Sequence, residues 1–194
     1  MIRLICLYPI SVVVRIIILI RNKLYDWNIL RATHSKLPVI SIGNIQVGGT
    51  GKTPFVASLI KLLYQNNIKP VIITRGYKRI TNQQIILNDS NQYSIEETGD
   101  ETYYLKKIFA EVSIIIDHNK NRAVHTANTM QNIDCIILDD GYQSRYIKRD
   151  IDIVLINTWA NPLHFFVMPS GYLREKISNL NRADFIYTTK GEKS

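Results

Sequence analysis

The chain has 194 residues, 46% hydrophobic and 21% charged, with a formal net charge of +8 and a sequence pI near 9.5. That balance excludes a disordered or fibrous chain, and the length suffices for a domain with a real core. The positive excess calls for an anionic partner such as nucleic acid, anionic lipid or nucleotide phosphate, and where the charge sits decides among them.

Residues 1–36 hold Arg3, Arg15, Arg21, Lys23, Arg31 and Lys36 against the single acid Asp26, which accounts for five of the eight net charges. They flank an apolar stretch, Leu4 to Ile20, interrupted by Pro9 and Arg15. It therefore falls short of the roughly 18 unbroken apolar residues of a spanning helix. A basic, apolar segment flanked by Tyr and Trp fits a helix lying on an anionic membrane surface, with a span or a buried core helix as alternatives. A cleaved signal peptide is disfavoured by the lack of a small-residue cleavage site before Arg21. Because the charge clusters here and not among aromatics on a separate face, no nucleic-acid partner is expected.

From Leu37 the pattern turns to short β-branched runs separated by helical stretches, the mark of βαβ units and a mostly parallel sheet flanked by helices. The predicted strands are 39–42, 71–74, 112–116, 135–138, 151–156 and 185–187, several of them apolar on successive residues as in strands covered on both faces. Helices are predicted at 54–64, 101–110 and 120–130. The polar stretch 81–98 reads as a hairpin or mobile loop. The domain reading is thus an N-terminal membrane-associated segment, 1–36, and an α/β nucleotide-binding domain, 37–194. Cys6 and Cys135 show neither metal nor redox spacing and read as reduced packing residues. His34, His118, His125 and His164 also lack metal spacing and read as structural or surface residues.

The strongest motif is Gly48-Gly49-Thr50-Gly51-Lys52-Thr53-Pro54, between the first strand and the first helix. Glycines let backbone N–H groups approach phosphate oxygens, the helix N-terminus adds a favourable dipole, Lys52 reaches the β and γ phosphates and Thr53 ligates magnesium. A strict phosphate-loop pattern wants glycine at position 46, where Gln46 stands. Ile136-Ile137-Leu138-Asp139-Asp140-Gly141 delivers two carboxylates at a strand's C-terminal end, where Asp139 and Asp140 can hold magnesium or merely close a turn. Gly99-Asp100-Glu101 precedes a helix and reads either as a cap with acids in the first turn or as the source of a base. Arg75, Arg122 and Arg174 are candidates to neutralise phosphate, though an arginine taken singly is more often a solvated surface residue.

Taken in order, Ser41-Ile42-Gly43-Asn44 running into GGTGKTP, TRGY at 74–77, GDE at 99–101, DDGYQ at 139–143, RDIDIV at 149–154 and PSGYLRE at 169–175 resemble the tetraacyldisaccharide 4'-kinase family of lipid A biosynthesis. The resemblance covers essentially the whole chain. It implies a P-loop NTPase-like fold, with ATP and Mg2+ used to phosphorylate the 4'-hydroxyl of tetraacyldisaccharide 1-phosphate, giving lipid IVA. The expected setting is the cytoplasmic face of the bacterial inner membrane, as a peripheral or monotopic monomer. Residue by residue, it implies Gly48, Gly49, Thr50, Gly51, Lys52 and Thr53 for the nucleotide, and Thr53, Glu101, Asp139 and Asp140 for the metal. Asp100 becomes the catalytic base, and Arg174 with Glu175 the edge of the active site. Two departures stand out. Ser144 occupies a position where the family usually has histidine, and members continue into a second domain whose histidine partners the base. The expectation is that these 194 residues bind nucleotide and, alone, transfer phosphate slowly or not at all. A non-catalytic remnant and a partitioning-type P-loop ATPase are the other readings.

Overall fold

A computed structural model describes residues 2–77, 79–88, 93–157 and 166–189, with side chains from residue 7 onward. The strands are β1 (Val39–Asn44), β2 (Pro70–Thr74), β3 (Ile85–Leu87), β4 (Ser113–Ile116), β5 (Cys135–Asp139), β6 (Ile151–Asn157) and β7 (Phe185–Thr189). The helices are α1 (Ile2–Asp26), α2 (Lys52–Gln65), α3 (Ile95–Thr98), α4 (Asp100–Ile108) and α5 (Lys120–Ala127), with a 3-10 helix at Ile177–Arg182. The strands form one sheet in the order β3-β4-β2-β5-β1-β6-β7, all parallel except β3, which runs antiparallel to β4.

The unbroken apolar runs follow from burial on both faces. In β2, β4 and β5, alternate side chains enter opposite layers. Ile72, Ile114, Ile116 and Ile137 pack with Val56 and Ile60 of α2, while Val71, Ile73, Ile115, Ile136 and Leu138 pack with Ala123 and Val124 of α5. With parallel strands, every loop leaving a C-terminal end reaches the same edge. β2, β5 and β1 are neighbours there, so segments 45–51, 75–77 and 139–141 converge.

Helix α1 inverts the usual arrangement. Its inward seam carries polar Ser11 and Asn22, both buried, beside Val14 and Ile18, which pack against Tyr142, Val154 and Leu173. Ser11 Oγ accepts from the Ser170 amide at 2.8 Å, and Asn22 Nδ2 donates to Glu175 Oε2 at 3.2 Å. Outward stand Ile10, Val13, Ile16, Ile17, Leu19 and Ile20, each at least half exposed. Among the described residues no helix is long and apolar enough to cross a membrane.

Three expectations need correction. The stretch 81–98 is neither a hairpin nor featureless: β3 pairs with β4 across an intervening pair of helices, and Ser94 and Glu97 form a capping box that starts α3. The helices predicted at 101–110 and 120–130 stop at Ile108 and Ala127, and the strand predicted from Val112 begins at Ser113. Cys135 is buried as expected, and burial pushes its thiol up to about 11. His164 and the side chain of Cys6 lie outside the described residues.

Candidate nucleotide site

After β1 the chain crosses the strand end and enters α2 through Gly51, whose φ of 77° is in the left-handed region where a side chain is disfavoured. No side chain caps α2, so its first N–H groups keep their capacity for an anion. The loop is pinned on both sides. Asn44 Nδ2 donates to Thr50 Oγ1 at 2.8 Å, and Thr189 Oγ1, at the end of β7, donates to the Thr50 carbonyl at 2.9 Å. Gln46 stands where a glycine was wanted because its amide clasps β6: Oε1 accepts from the Asn157 amide at 2.8 Å, and Nε2 donates to the Asn157 carbonyl at 3.2 Å.

A cleft of about 810 Å³ lies over this edge, lined by the loop from Val47 to Pro54, by Thr74 to Tyr77, and by Glu101, His118, Asp139, Asp140 and Arg174. All the predicted nucleotide residues line it, as do all four predicted metal residues. Thr53 Oγ1 donates to Glu101 Oε2 at 2.8 Å. Thr74 Oγ1 donates to Asp139 Oδ2 at 3.0 Å. Glu101 arrives through the close packing of two loops: a Cβ on Gly99, φ 83°, would lie 2.5 Å from the Tyr77 carbonyl oxygen.

The two aspartates differ in kind. Burial raises the Asp139 carboxyl above its usual range, against the pull of Lys120. Burial also acts on Asp140, but Arg174, Lys52 and Lys120 outweigh it and hold that carboxyl low. Both Asp140 oxygens accept from Arg174, at 2.7 and 2.8 Å, and Lys52 Nζ lies 3.7 Å away. Asp140, expected as a metal ligand, pairs with two cations here, and Thr53, Glu101, Asp139 and Asp140 together bring to the cleft hard oxygen donors of the kind that suit magnesium. Among the described residues no three His, Cys, Asp or Glu side chains form a metal cluster.

Other expected residues fall elsewhere. Asp100 is exposed at the first position of α4 and is not among the cleft-lining residues. Arg122 is not among the cleft-lining residues and pairs with buried Asp117 at 2.7 and 2.8 Å. Glu175 is buried, receiving Arg182 at 2.7 Å and Asn179 at 2.8 Å, so it braces the segment that carries Arg174.

Sequence reasoning missed Lys120 and set His118 aside. Lys120 is fully buried and donates to the carbonyls of Asp139 and Asp140 at 2.6 and 2.8 Å, holding the turn in which Asp140 takes a φ of 49°. Burial pushes its ammonium down to about 8. The available signal was a lysine in a helix's first turn, where the dipole disfavours a cation. His118 lines the cleft.

A glycine loop joining strand to uncapped helix at the edge of a parallel sheet, with carboxylates on the neighbouring strand, defines a P-loop phosphate-binding protein. Residues 3–194 match the family model for Tetraacyldisaccharide-1-P 4'-kinase, and the chain belongs to that family. It is 36% identical over 186 residues to the Tetraacyldisaccharide 4'-kinase of Bacteroides thetaiotaomicron, covering 95% of this chain and 48% of the relative. With the Chlorobium phaeobacteroides protein of the same name, identity is 39% over 193 residues, covering 96% and 54%. The crystal structure of "apo" form LpxK from Aquifex aeolicus in complex with ATP superposes with a TM-score of 0.88 at 36% identity, covering 98% of this chain and 59% of that one. The chain spans about half the length of the curated relatives it matches. These matches set the partitioning-type ATPase aside.

Proposed function

We propose that this chain supplies the ATP-binding and membrane-facing part of a lipid kinase that transfers the γ-phosphate of ATP to the 4'-hydroxyl of tetraacyldisaccharide 1-phosphate, giving lipid IVA. The observation that carries the reading is the cleft itself, which sets the uncapped start of α2, Lys52 and Thr53 against Asp139 and Glu101. Loop amides and Lys52 bind and orient the phosphate chain. Thr53, Glu101 and Asp139 would hold magnesium, which would neutralise phosphate charge when bound. Lys120 and Arg174 fix the Asp139-Asp140 turn from below and beside it. The acceptor oxygen forms a bond to the γ-phosphorus while the bond to the bridging oxygen breaks, ADP leaves, and the hydroxyl proton passes to Asp100 at the exposed start of α4.

The lipid acceptor suits the outward aliphatic face of α1, with Arg15, Arg21 and Lys23 among its residues for anionic headgroups. We take residues 1–36 as the segment that rests on the cytoplasmic face of the inner membrane, peripherally or monotopically.

The test is transfer of radiolabel from γ-labelled ATP to tetraacyldisaccharide 1-phosphate in mixed micelles, for the protein alone, from which slow or no transfer is expected, and for its fusion to a relative's second domain, unaltered or carrying Lys52→Ala or Asp100→Asn. Label on the lipid should vanish with Lys52→Ala and fall about 100-fold or more with Asp100→Asn. Full transfer by Asp100→Asn removes that residue from the base role, and full transfer by Lys52→Ala contradicts the site.

A further inference from the structure

Two residues that shape the nucleotide cleft without lining it stand at the C-terminal ends of β6 and β7. Asn157 and Thr189 close those strands and are register partners. From there they hold the phosphate loop at two points, Asn157 through the Gln46 amide at 2.8 and 3.2 Å and Thr189 through the Thr50 carbonyl at 2.9 Å. Thr189 Oγ1 also lies 3.4 Å from the Ile156 carbonyl, but its one proton goes to the nearer oxygen. Its methyl stands against the loop as well: a Cβ on Gly51 would meet Thr189 Cγ2 at 3.5 Å. β7 is otherwise the least covered strand of the sheet, with Phe185, Ile186 and Tyr187 about half exposed, so Thr189 is not there to fill a core.

The bond to Thr50 matters for the next group along the chain. A trans peptide is planar, with its C=O and N–H pointing in opposite directions, and the Thr50 carbonyl and the Gly51 N–H share one such plane. Gly51 lines the cleft and Thr189 does not, so drawing the carbonyl toward Thr189 turns the Gly51 N–H the other way, toward the phosphate side. The left-handed φ of Gly51 permits that turn. Among the described residues no acceptor takes the Gly51 N–H. Asn44 steadies the same segment by donating to Thr50 Oγ1, and the Gly51 carbonyl accepts from the Phe55 amide at 3.2 Å. Both peptide planes around Gly51 are therefore set before a ligand arrives, and a donor already aimed needs no reorganisation when an anion binds.

We infer that Thr189 is a positioning residue of the nucleotide site, holding the Thr50-Gly51 peptide so that the Gly51 N–H meets a nucleotide phosphate. The inference rests on the ATP-site reading above. It gives β7 a part in nucleotide affinity although Thr189 touches no ligand. Without the hydroxyl the Thr50 carbonyl loses its partner, the peptide is free to rotate, and part of the binding free energy goes into aiming the N–H again.

Calorimetric titration of MgATP tests this on the parent protein, Thr189→Val, Thr189→Ser and Thr188→Val, with the melting temperature of each. Valine keeps the β-branched shape and the methyl against Gly51 but donates nothing, whereas serine keeps the donor and gives up the methyl. Thr188→Val makes the same deletion one residue earlier, at an exposed position on the opposite face of the strand. Thr189→Val should bind MgATP about fivefold more weakly at an unchanged melting temperature, while Thr189→Ser and Thr188→Val stay within about twofold of the parent. If Thr189→Val melts lower, the hydroxyl is read from Thr189→Ser against Thr189→Ala, with the same difference expected and equality overturning the inference. Parent-like affinity in Thr189→Val overturns it too, as does an equal loss in Thr188→Val, which would assign the effect to the strand at large, or in Thr189→Ser, which would assign it to the methyl. Failure of the parent to bind MgATP overturns the reading beneath it instead.

Discussion

Helices α1 and α2 are both rich in Ile, Leu and Val, and they dispose of them in opposite ways. In α2, Val56 and Ile60 are buried under the sheet, while Ser58 and Lys61 face water. In α1 the buried residues of the seam are Ser11 and Asn22, while Ile16, Ile17, Leu19 and Ile20 are 51–60% exposed. The same side chains are thus sorted against different surroundings. A contiguous exposed aliphatic face needs an apolar phase to cover it, and basic residues beside such a face favour an anionic leaflet. The polar seam then serves a second purpose, fixing the helix by directed bonds to Ser170 and Glu175 so that it stands beside the chemistry.

The sharpest way to break this contrast is to remove the outer face. Replacing Ile16, Ile17, Leu19 and Ile20 together by serine should forfeit on the order of 1 kcal/mol per side chain, about 4 kcal/mol in all, and weaken binding to phosphatidylglycerol vesicles roughly a thousandfold. Melting temperature and nucleotide affinity should hold, because none of the four packs inward. Vesicle binding equal to the parent's would show that α1 covers its aliphatic face by other means.

A second prediction concerns the cleft side, where burial falls on charge. The Lys120 ammonium is lowered from 10.5 to about 8 by burial. Between those values the unfolded chain holds the proton and the folded one has released it, so this lysine's contribution to stability rises with pH across that window and is lowest below pH 8. Denaturant unfolding of the parent and of Lys120→Met from pH 7 to pH 10 should show the parent gaining on the variant by on the order of 2 kcal/mol. Parallel curves would mean that Lys120 is not desolvated as its position indicates.

These two regions were unequally legible in the sequence. The strands could be read because burial on both faces makes unbroken apolar runs, as in Ile114-Ile115-Ile116 and Ile136-Ile137-Leu138. The loop from Gly48 to Thr53 and the strand-end Asp139 could be read because backbone chemistry fixes their spacing. Other features arise only when distant segments meet. β3 is three residues whose partner lies beyond two helices. The anchors of the phosphate loop tie positions 46 and 50 to 157 and 189. Lys120 and Arg122 stand two residues apart on one helix, yet one enters the site and the other pairs with Asp117, a difference that tertiary packing alone decides.

The smallest effect is expected where α1 meets the body at a partly exposed ion pair. Asp26→Asn removes the partner of Arg145, and such pairs contribute less than about 1 kcal/mol, so a melting-temperature drop of at most a few degrees is expected. A larger loss would mean that α1 is held by this contact more than by Ser11, Val14, Ile18 and Asn22.

The central claim is that the cleft at the end of β1 and β5 binds MgATP through the glycine loop. Isothermal titration of MgATP into the protein and into Lys52→Ala measures it directly. The account predicts one site, at least tenfold weaker binding in the variant, and no change in melting temperature, since Lys52 opens a helix at the cleft edge and lies outside the core. Equal affinity in the two proteins would contradict it.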